Sequence, residues 1–272
     1  MVSYPLDIPC AFQCPRRFFA VSTFLVRTAF RHLSFKLFGL WLNDYNDYQA
    51  DAVNKRKGNF LFGAKASPKH LKGLLKKIAL VVRPFIALFT YLSGLKMFLL
   101  LVFMVGVNIL YNFRPFRIKE RPPFEILIQV GYVSTAFFAT ELNQLEVLPW
   151  QTLVYLSLFA FQAHIAGEIM DIEPDLEAGK RTTATVLKRK NSKLLMLALL
   201  LLESFLVWVW FQDIVLASFL GIFALWLVLD VFIFFKNRPY TLSQMKLFGY
   251  AINLSAILSM AWVLHSGTLV QV

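Results

Sequence analysis

Long apolar runs divide this chain into eight segments separated by polar stretches. The runs show no alternation with a period of two, so they predict membrane helices rather than the strands of a barrel. Most are long enough for a helix to cross the hydrocarbon core of a bilayer. The predicted spans are 18–42, 78–93, 97–113, 124–143, 150–170, 194–211, 214–235 and 247–265.

The apolar pattern predicts one transmembrane domain over residues 18–265. Residues 1–17 are expected to form a divergent or disordered N-terminal segment, and residues 266–272 a short tail. Of the 272 residues, 58% are hydrophobic and only 16% charged, which is too apolar for a soluble domain of this size. The composition therefore supports an all-α polytopic membrane protein.

The basic residues are concentrated in alternate connections between the spans. The long connections on one side hold 21 Lys and Arg, whereas those on the opposite side hold only Lys96. Because positive residues stay on the cytoplasmic side of a membrane, this asymmetry places the long connections in the cytoplasm. It also explains the net charge of +12 without a nucleic-acid partner. The long connections are 43–77, 114–123, 171–193 and 236–246.

Two acidic clusters lie where apolar spans end, one at residues 43–51 and the other at residues 171–175. Carboxylates four residues apart share one face of a helix, as Asp47 and Asp51 would, and as Asp171 and Asp175 would. Both clusters fall in long connections, so both should reach the same membrane face. Acidic groups at a membrane border are costly unless a cation binds there.

Paired carboxylates with an Asn side chain suit Mg²⁺, which keeps room for phosphate ligands. The clusters therefore predict a diphosphate site that faces a pocket within the membrane. Basic side chains near them could contact phosphate oxygens. The candidates are Lys55, Arg56, Arg117, Lys119, Lys180 and Arg181. For each basic residue, the alternative is an ordinary positive charge of a cytoplasmic loop, and for the acidic clusters it is a solvated loop or a helix cap.

Four more acidic residues lie in or near the spans. Glu168 lies three residues before Asp171 and could extend the site. The roles of Glu141, Glu203 and Asp230 stay open, because the sequence shows no partner for them.

Three ordered motifs resemble those of the UbiA superfamily of intramembrane prenyltransferases. The first is Asn43-Asp44-x-x-Asp47-x-x-x-Asp51, and the second runs from Asp171-x-x-x-Asp175 through Gly179 to Thr182-Thr183. Between them, the stretch from Tyr111 to Lys119 is similar to a Tyr- and Lys/Arg-rich region of that family. The second motif and residues 117–133 look most similar to the lycopene elongase, or carotenoid prenyltransferase, subgroup.

The resemblance implies an all-helical fold whose helices surround a central apolar chamber, with a cytoplasmic cap formed by the motif-bearing loops. The family usually has nine spans, whereas the apolar runs of this chain predict about eight. It implies that Asn43, Asp47, Asp51, Asp171 and Asp175 hold Mg²⁺ and a prenyl diphosphate. Arg117, Lys119 and Lys180, with Lys55 after the first motif, would contact the diphosphate, and Tyr111 would lie near the reacting carbon. Since only one apolar run precedes Asn43, the first helix of the family is expected to be missing or divergent.

The expected reaction is Mg²⁺-dependent transfer of a prenyl group to a hydrophobic acceptor through an allylic carbocation. The acceptor stays open between a carotenoid such as lycopene, a quinone precursor, an aromatic acid and a lipid alcohol. A membrane terpene cyclase could use the same site, and a cation-coupled transporter could use the acidic clusters differently. Because of the short N-terminus, a catalytically impaired relative is a further alternative.

Overall fold

The computed structural model describes residues 39, 41–59, 61–63, 65 and 67–270. Within these residues the regular elements are helices, and the residues outside them include isolated bridge positions, such as the pair Asn59 and Gly63, but no strand, which confirms the all-α class. The α-helices are α1 (41–53), α2 (Pro68–Leu71), α3 (Leu74–Asn112), α4 (Phe124–Leu127), α5 (Ser134–Asn143), α6 (Trp150–Glu177), α7 (Thr183–Phe211), α8 (Ile214–Leu229) and α9 (Leu242–Ser266). Two 3₁₀ segments, Ile118–Glu120 and Ile128–Val133, and a π-helical turn, Asp230–Phe234, complete the set.

Five helices in the described ranges are long and apolar enough to cross a membrane. They are α3, α6, α7, α9 and the continuous segment Ile214–Phe234, which joins α8 to the π-helical turn. The predicted count of eight spans and the central chamber are not confirmed and stay predictions. The predicted segment 1–17, most of span 18–42 and the expected missing helix lie outside the described residues.

Helix α3 contains two predicted spans and a sharp break between them. Gly94 has φ 77° and ψ −163°, which no α-helical residue adopts. Ile78 and Val105 pack into the same apolar cluster around Leu42, although a straight helix would separate them by about 40 Å. The chain therefore reverses at Gly94, in the short stretch between the predicted spans 78–93 and 97–113.

The predicted span 124–143 is not one regular helix. It is divided into α4, the 3₁₀ segment Ile128–Val133 and α5. At Gly131 this segment lies so close to α3 that an added Cβ would come within 2.8 Å of Val107. Apolar periodicity does not reveal such a close approach, so the sequence predicted a continuous helix here.

The main apolar core lies between α6, α7 and α8. Its buried members include Tyr155, Leu200, Val207, Leu216 and Leu220. By contrast, α9 presents mostly exposed Leu, Ile, Met and Tyr side chains. Large exposed apolar surfaces are rare on soluble monomers but normal where a protein faces lipid. The packing is consistent with a multi-pass membrane protein.

Candidate active site

The first acidic cluster lies on a helix rather than in the expected loop. Residues 41–53 form α1, so the predicted cytoplasmic connection begins as regular helix. Asn43, Asp47 and Asp51 follow one another at intervals of four residues and share one face of α1. Asp47 and Asp51 are buried, with 7% and 6% exposure. Their burial inside the fold excludes a solvated loop for this cluster.

The second acidic cluster is also helical, because α6 continues to Glu177, beyond the predicted end of the span at residue 170. Asp171 and Asp175 therefore lie one turn apart on the last part of α6. Gly179, with φ 69°, then reverses the chain, and the Lys180 N–H donates to the Asp175 carbonyl at 2.8 Å. This turn brings the Lys180 side chain back toward the carboxylates.

The next helix begins immediately after this turn. Thr182 caps α7 in a capping box with Thr185, in which each side chain accepts from the other residue's backbone N–H. The second motif thus lies on the adjoining ends of two helices rather than in a long loop. The Gly-x-x-Thr part of the second motif provides the turn and the cap between α6 and α7.

Lys180 joins the two acidic clusters. Its Nζ lies 3.3 Å from Asp47 Oδ1 and 3.7 Å from Asp175 Oδ1. Burial alone would lower the pKa of Lys180, but Asp47 and Asp175 raise it above its ordinary value. The two clusters, expected to reach the same membrane face, are therefore brought together in one charged site.

Asp47 has the densest set of basic neighbours. Lys119 Nζ lies 2.8 Å from Asp47 Oδ1, and an Arg117 guanidinium nitrogen lies 3.7 Å from it. Lys119 also donates to the side-chain oxygens of Asn43, at 3.3 Å, and Asn112, at 3.1 Å. Burial raises the pKa of Asp47, but Lys119 and Lys180 outweigh it, so this pKa lies below its ordinary value. Asp47 is therefore an ionised centre within a basic environment.

Asp171 is held by residues that follow α1. Arg56 forms an ion pair with its carboxylate, and Asn54 Nδ2 donates to Oδ1 at 2.9 Å. Lys57 Nζ lies 3.3 Å from Asp51 Oδ2. The sequence interpretation missed Asn54 and Lys57. Their position just after the first motif could have indicated them, since Asn54 follows Asp51 by nearly one helical turn.

A pocket of about 180 Å³ opens between these groups. Several of the predicted residues do not line it, among them Arg181, which is exposed, and Glu168, which lies deeper along α6. Lys55 is exposed, while Arg117 and Lys119 reach the site only through Asp47 and Asn43, and Tyr111 lies on α3 with its ring edge-on to His164. The lining residues are Asn43, Asp47, Ala50, Asp51, Asn54, Arg56, Lys57, Asp171, Pro174, Asp175 and Lys180.

The carboxylate and amide oxygens in this pocket are hard ligands of the kind that Mg²⁺ binds. No three His, Cys, Asp or Glu side chains in the described part of the chain are grouped closely enough to hold a metal ion by themselves. Mg²⁺ commonly uses one or two carboxylates and takes its remaining ligands from water and substrate phosphates. The arrangement therefore suits an ion that binds together with a phosphate ligand.

A second polar group lies deeper along α6. Glu168 is buried, accepts from the Ala184 N–H at 3.0 Å and has its other oxygen 3.1 Å from His164 Nε2. Glu125, which is fully buried, accepts from both the N–H and the hydroxyl of Thr183. The sequence indicated Glu168 as an extension of the site but gave His164 and Glu125 no role.

Comparison with known proteins yields a family match. The model of the UbiA prenyltransferase family matches residues 13–264. A lycopene elongase/hydratase from Corynebacterium glutamicum is 28% identical over 169 residues, or 61% of this chain and 58% of that protein. The C(50) beta-cyclic carotenoids biosynthesis protein LbtBC from Dietzia sp. is 25% identical over 166 residues, or 60% of this chain and 38% of that protein.

The chain belongs to the UbiA prenyltransferase family, whose members are prenyltransferases. The resemblance expected from the three motifs is confirmed, and the relatives carry names from carotenoid biosynthesis. The matches span less than two thirds of the length of these relatives. No solved structure is significantly similar to the chain.

Proposed function

We propose that this UbiA-family protein transfers a prenyl group from a prenyl diphosphate to a hydrophobic acceptor within the membrane. The acceptor that we favour is a carotenoid such as lycopene. The observation that carries the proposal is the pairing of Lys180 with both Asp47 and Asp175. It joins two acidic motifs, more than 120 residues apart, in one pocket of oxygen donors and cations.

The basic side chains of the pocket suit the leaving diphosphate. Arg56, Lys57 and Lys180 line it, so all three could contact phosphate oxygens directly. Each of these cations pairs with a carboxylate. An entering diphosphate and metal ion would compete for both sets of groups, with the cations contacting phosphate and the carboxylates contacting the ion.

Mg²⁺ is the proposed cofactor, with Asn43, Asp47, Asp51, Asp171 and Asp175 as the residues that would hold it. When bound, it would supply Lewis-acid stabilisation of the departing diphosphate. The protein's own part is to hold the diphosphate at the membrane border. The prenyl chain would then point into the apolar interior, where water is scarce.

We propose that the pocket faces the cytoplasm. The support is the concentration of Lys and Arg in the predicted long connections, which include both acidic motifs. The carotenoid acceptor is supported by the names of the two relatives, which are 28% and 25% identical to the matched parts of this chain. Other acceptors compete with the carotenoid in the experiment that follows.

Removal of the divalent ion is expected to abolish diphosphate release and product formation. The measurement uses the full chain in lipid nanodiscs with radiolabelled five-carbon or longer prenyl diphosphates and vesicles containing lycopene. A quinone precursor and a lipid alcohol serve as competing acceptors. Excess chelator should stop the reaction, and added Mg²⁺ should restore it.

The same assay separates the alternative functions. Transfer that persists with the chelator would contradict the proposed cofactor. A cyclic product formed without any acceptor would instead identify a terpene cyclase. A transporter is tested separately with the protein reconstituted in sealed proteoliposomes. Uptake of the unchanged diphosphate into them would identify a transporter, and the proposal would then be wrong.

Replacing Lys180 by Met is expected to raise the apparent KM for the prenyl diphosphate by roughly 10- to 100-fold, since a charge-assisted contact of this type contributes about 1.5–3 kcal/mol. Arg181→Met is the matched control, because Arg181 is the exposed neighbour and lies outside the pocket. Initial rates over a range of donor concentrations measure the effect. Equal KM values for the two variants would exclude Lys180 as a diphosphate contact.

A further inference from the structure

The polar residues of α6 form one continuous stripe. His164, Glu168, Asp171 and Asp175 are separated by four, three and four residues, so their side chains fall within about 60° around the helix axis. The stripe runs from Asp175 in the pocket to His164, which lies about 10 Å farther along the axis than Asp171. A polar stripe that enters an apolar span is costly, and such groups commonly mark a functional path.

His164 is held at the inner end of this stripe. Its Nε2 lies 3.1 Å from Glu168 Oε1, although the two atoms lack hydrogen-bond alignment. The second Glu168 oxygen accepts from the Ala184 N–H, which fixes the carboxylate in place. Catalytic contacts are often poorly aligned before a substrate binds and tighten afterwards.

His164 also remains accessible, unlike its partner. Its side chain is 20% exposed, whereas that of Glu168 is 7% exposed. The Tyr111 ring lies edge-on to the imidazole, with 6.3 Å between ring centroids. A base needs an open side from which to reach its substrate and a fixed side that stabilises its protonated form. His164 has both an open side and a fixed side. Among the described residues of the α6 stripe, it is also the one histidine.

We infer that His164 is the base that ends the transfer reaction, with Glu168 as its positioning residue. This inference rests on the proposed function and specifies an alkene as the reacting group of the acceptor. Diphosphate leaves with the electron pair of the broken C–O bond, and the acceptor's π electrons form the new C–C bond. The positive charge then lies on an acceptor carbon and must be discharged.

His164 discharges it by taking a proton from a carbon next to the cationic centre. The electrons of the broken C–H bond form a new double bond, and Glu168 stabilises the resulting imidazolium. If a water molecule attacks the cation instead, the product is a tertiary alcohol and His164 takes the proton of that water. In either case the proton ends on the imidazole. With Nε2 directed at Glu168, the accepting atom is Nδ1.

The test compares donor consumption with product formation for His164→Ala and for His164→Gln, which retains size and polarity. The assay contains the full chain in nanodiscs, a radiolabelled five-carbon allylic diphosphate, Mg²⁺ and lycopene. Loss of a general base should lower the transfer product roughly 100-fold. Donor consumption should fall much less than transfer, because an acceptor cation that is not deprotonated breaks the new C–C bond again and returns to the alkene and the allylic cation. Water then traps the allylic cation, and the labelled prenyl group is released as its alcohol. Added imidazole should restore part of the transfer in His164→Ala.

Glu168→Gln should cause a smaller loss of transfer than the His164 variants, and donor consumption should again fall less than transfer. His265→Ala, at an exposed histidine near the end of α9, is the matched control and should behave as wild type. Unchanged product yield and composition in both His164 variants would overturn the inference. A parallel fall of donor consumption and transfer, without imidazole rescue, would also overturn it. A wild-type protein that consumes no donor would refute the proposed function itself, and the inference with it.

Discussion

Asp175→Asn is expected to lower prenyl transfer roughly 100- to 1,000-fold, in the range seen when one group that stabilises transition-state charge is removed. The substitution keeps the size of the side chain but removes the charge that Lys180 contacts at 3.7 Å and that the proposed Mg²⁺ requires. Asp47→Asn should have a similar effect, because its carboxylate faces Lys119, Lys180 and Arg117. Initial rates at saturating donor and Mg²⁺ measure both losses.

Glu177→Gln is the matched control for these variants. Glu177 is an exposed carboxylate at the end of the same helix and does not line the pocket. Its replacement should leave the rate unchanged. If Asp47→Asn and Asp175→Asn both kept full activity while folded, neither carboxylate could belong to the catalytic site. Thermal unfolding in the same nanodiscs would show whether the variants remain folded.

Asp230→Ala is expected to destabilise the protein by about 3–5 kcal/mol, the usual effect of leaving one member of a buried ion pair without its partner. Lys193 Nζ lies 2.8 Å from Asp230 Oδ2, and the two side chains are 0% and 1% exposed. Tyr240 also donates to this carboxylate, and Lys193 donates to the Lys236 carbonyl at 3.1 Å. The pair thereby fastens α7 to the π-helical turn and to the connection that follows it.

The double variant Lys193→Met/Asp230→Leu distinguishes the contribution of the paired charges to stability from that of side-chain packing. It removes both charges while keeping apolar volume, so it should recover most of the lost stability. Chemical denaturation in detergent micelles, followed by tryptophan fluorescence, measures all three proteins. A single variant as stable as wild type would show that Lys193 and Asp230 do not depend on each other. A double variant as unstable as Asp230→Ala would show that packing, not charge, is what the substitution removes.

This ion pair illustrates why the sequence left some residues without a role. Lys193 falls at the edge of a predicted basic connection, and Asp230 in a predicted apolar span 37 residues later. Nothing in their local patterns relates them. They become partners only because α7 and α8 pack against each other, and long-range packing of that kind has no periodic signal.

Unlike the Lys193–Asp230 pair, the two acidic motifs could be related to each other from the sequence. Their spacing of four residues predicted a shared helix face, and the alternation of long and short connections predicted a shared side of the membrane. These inferences need only helical geometry and the positive-inside rule, so they do not depend on tertiary contacts. The assignment of both motifs to loops was wrong, because α1 and α6 extend as helix beyond the apolar residues that marked the span ends.

The sequence by itself determined the all-helical class, the family and the candidate Mg²⁺ and diphosphate residues of the two motifs, because apolar runs, charge asymmetry and motif spacing are local properties of the chain. Only the tertiary structure decided that Lys180 pairs with Asp47 as well as Asp175, that Arg56 and Asn54 hold Asp171, and that Lys55 lies outside the pocket. It also placed His164 against Glu168. The physical reason is that a side chain's partner depends on which helices pack together and how each is rotated. Those are long-range properties, which adjacent residues do not encode.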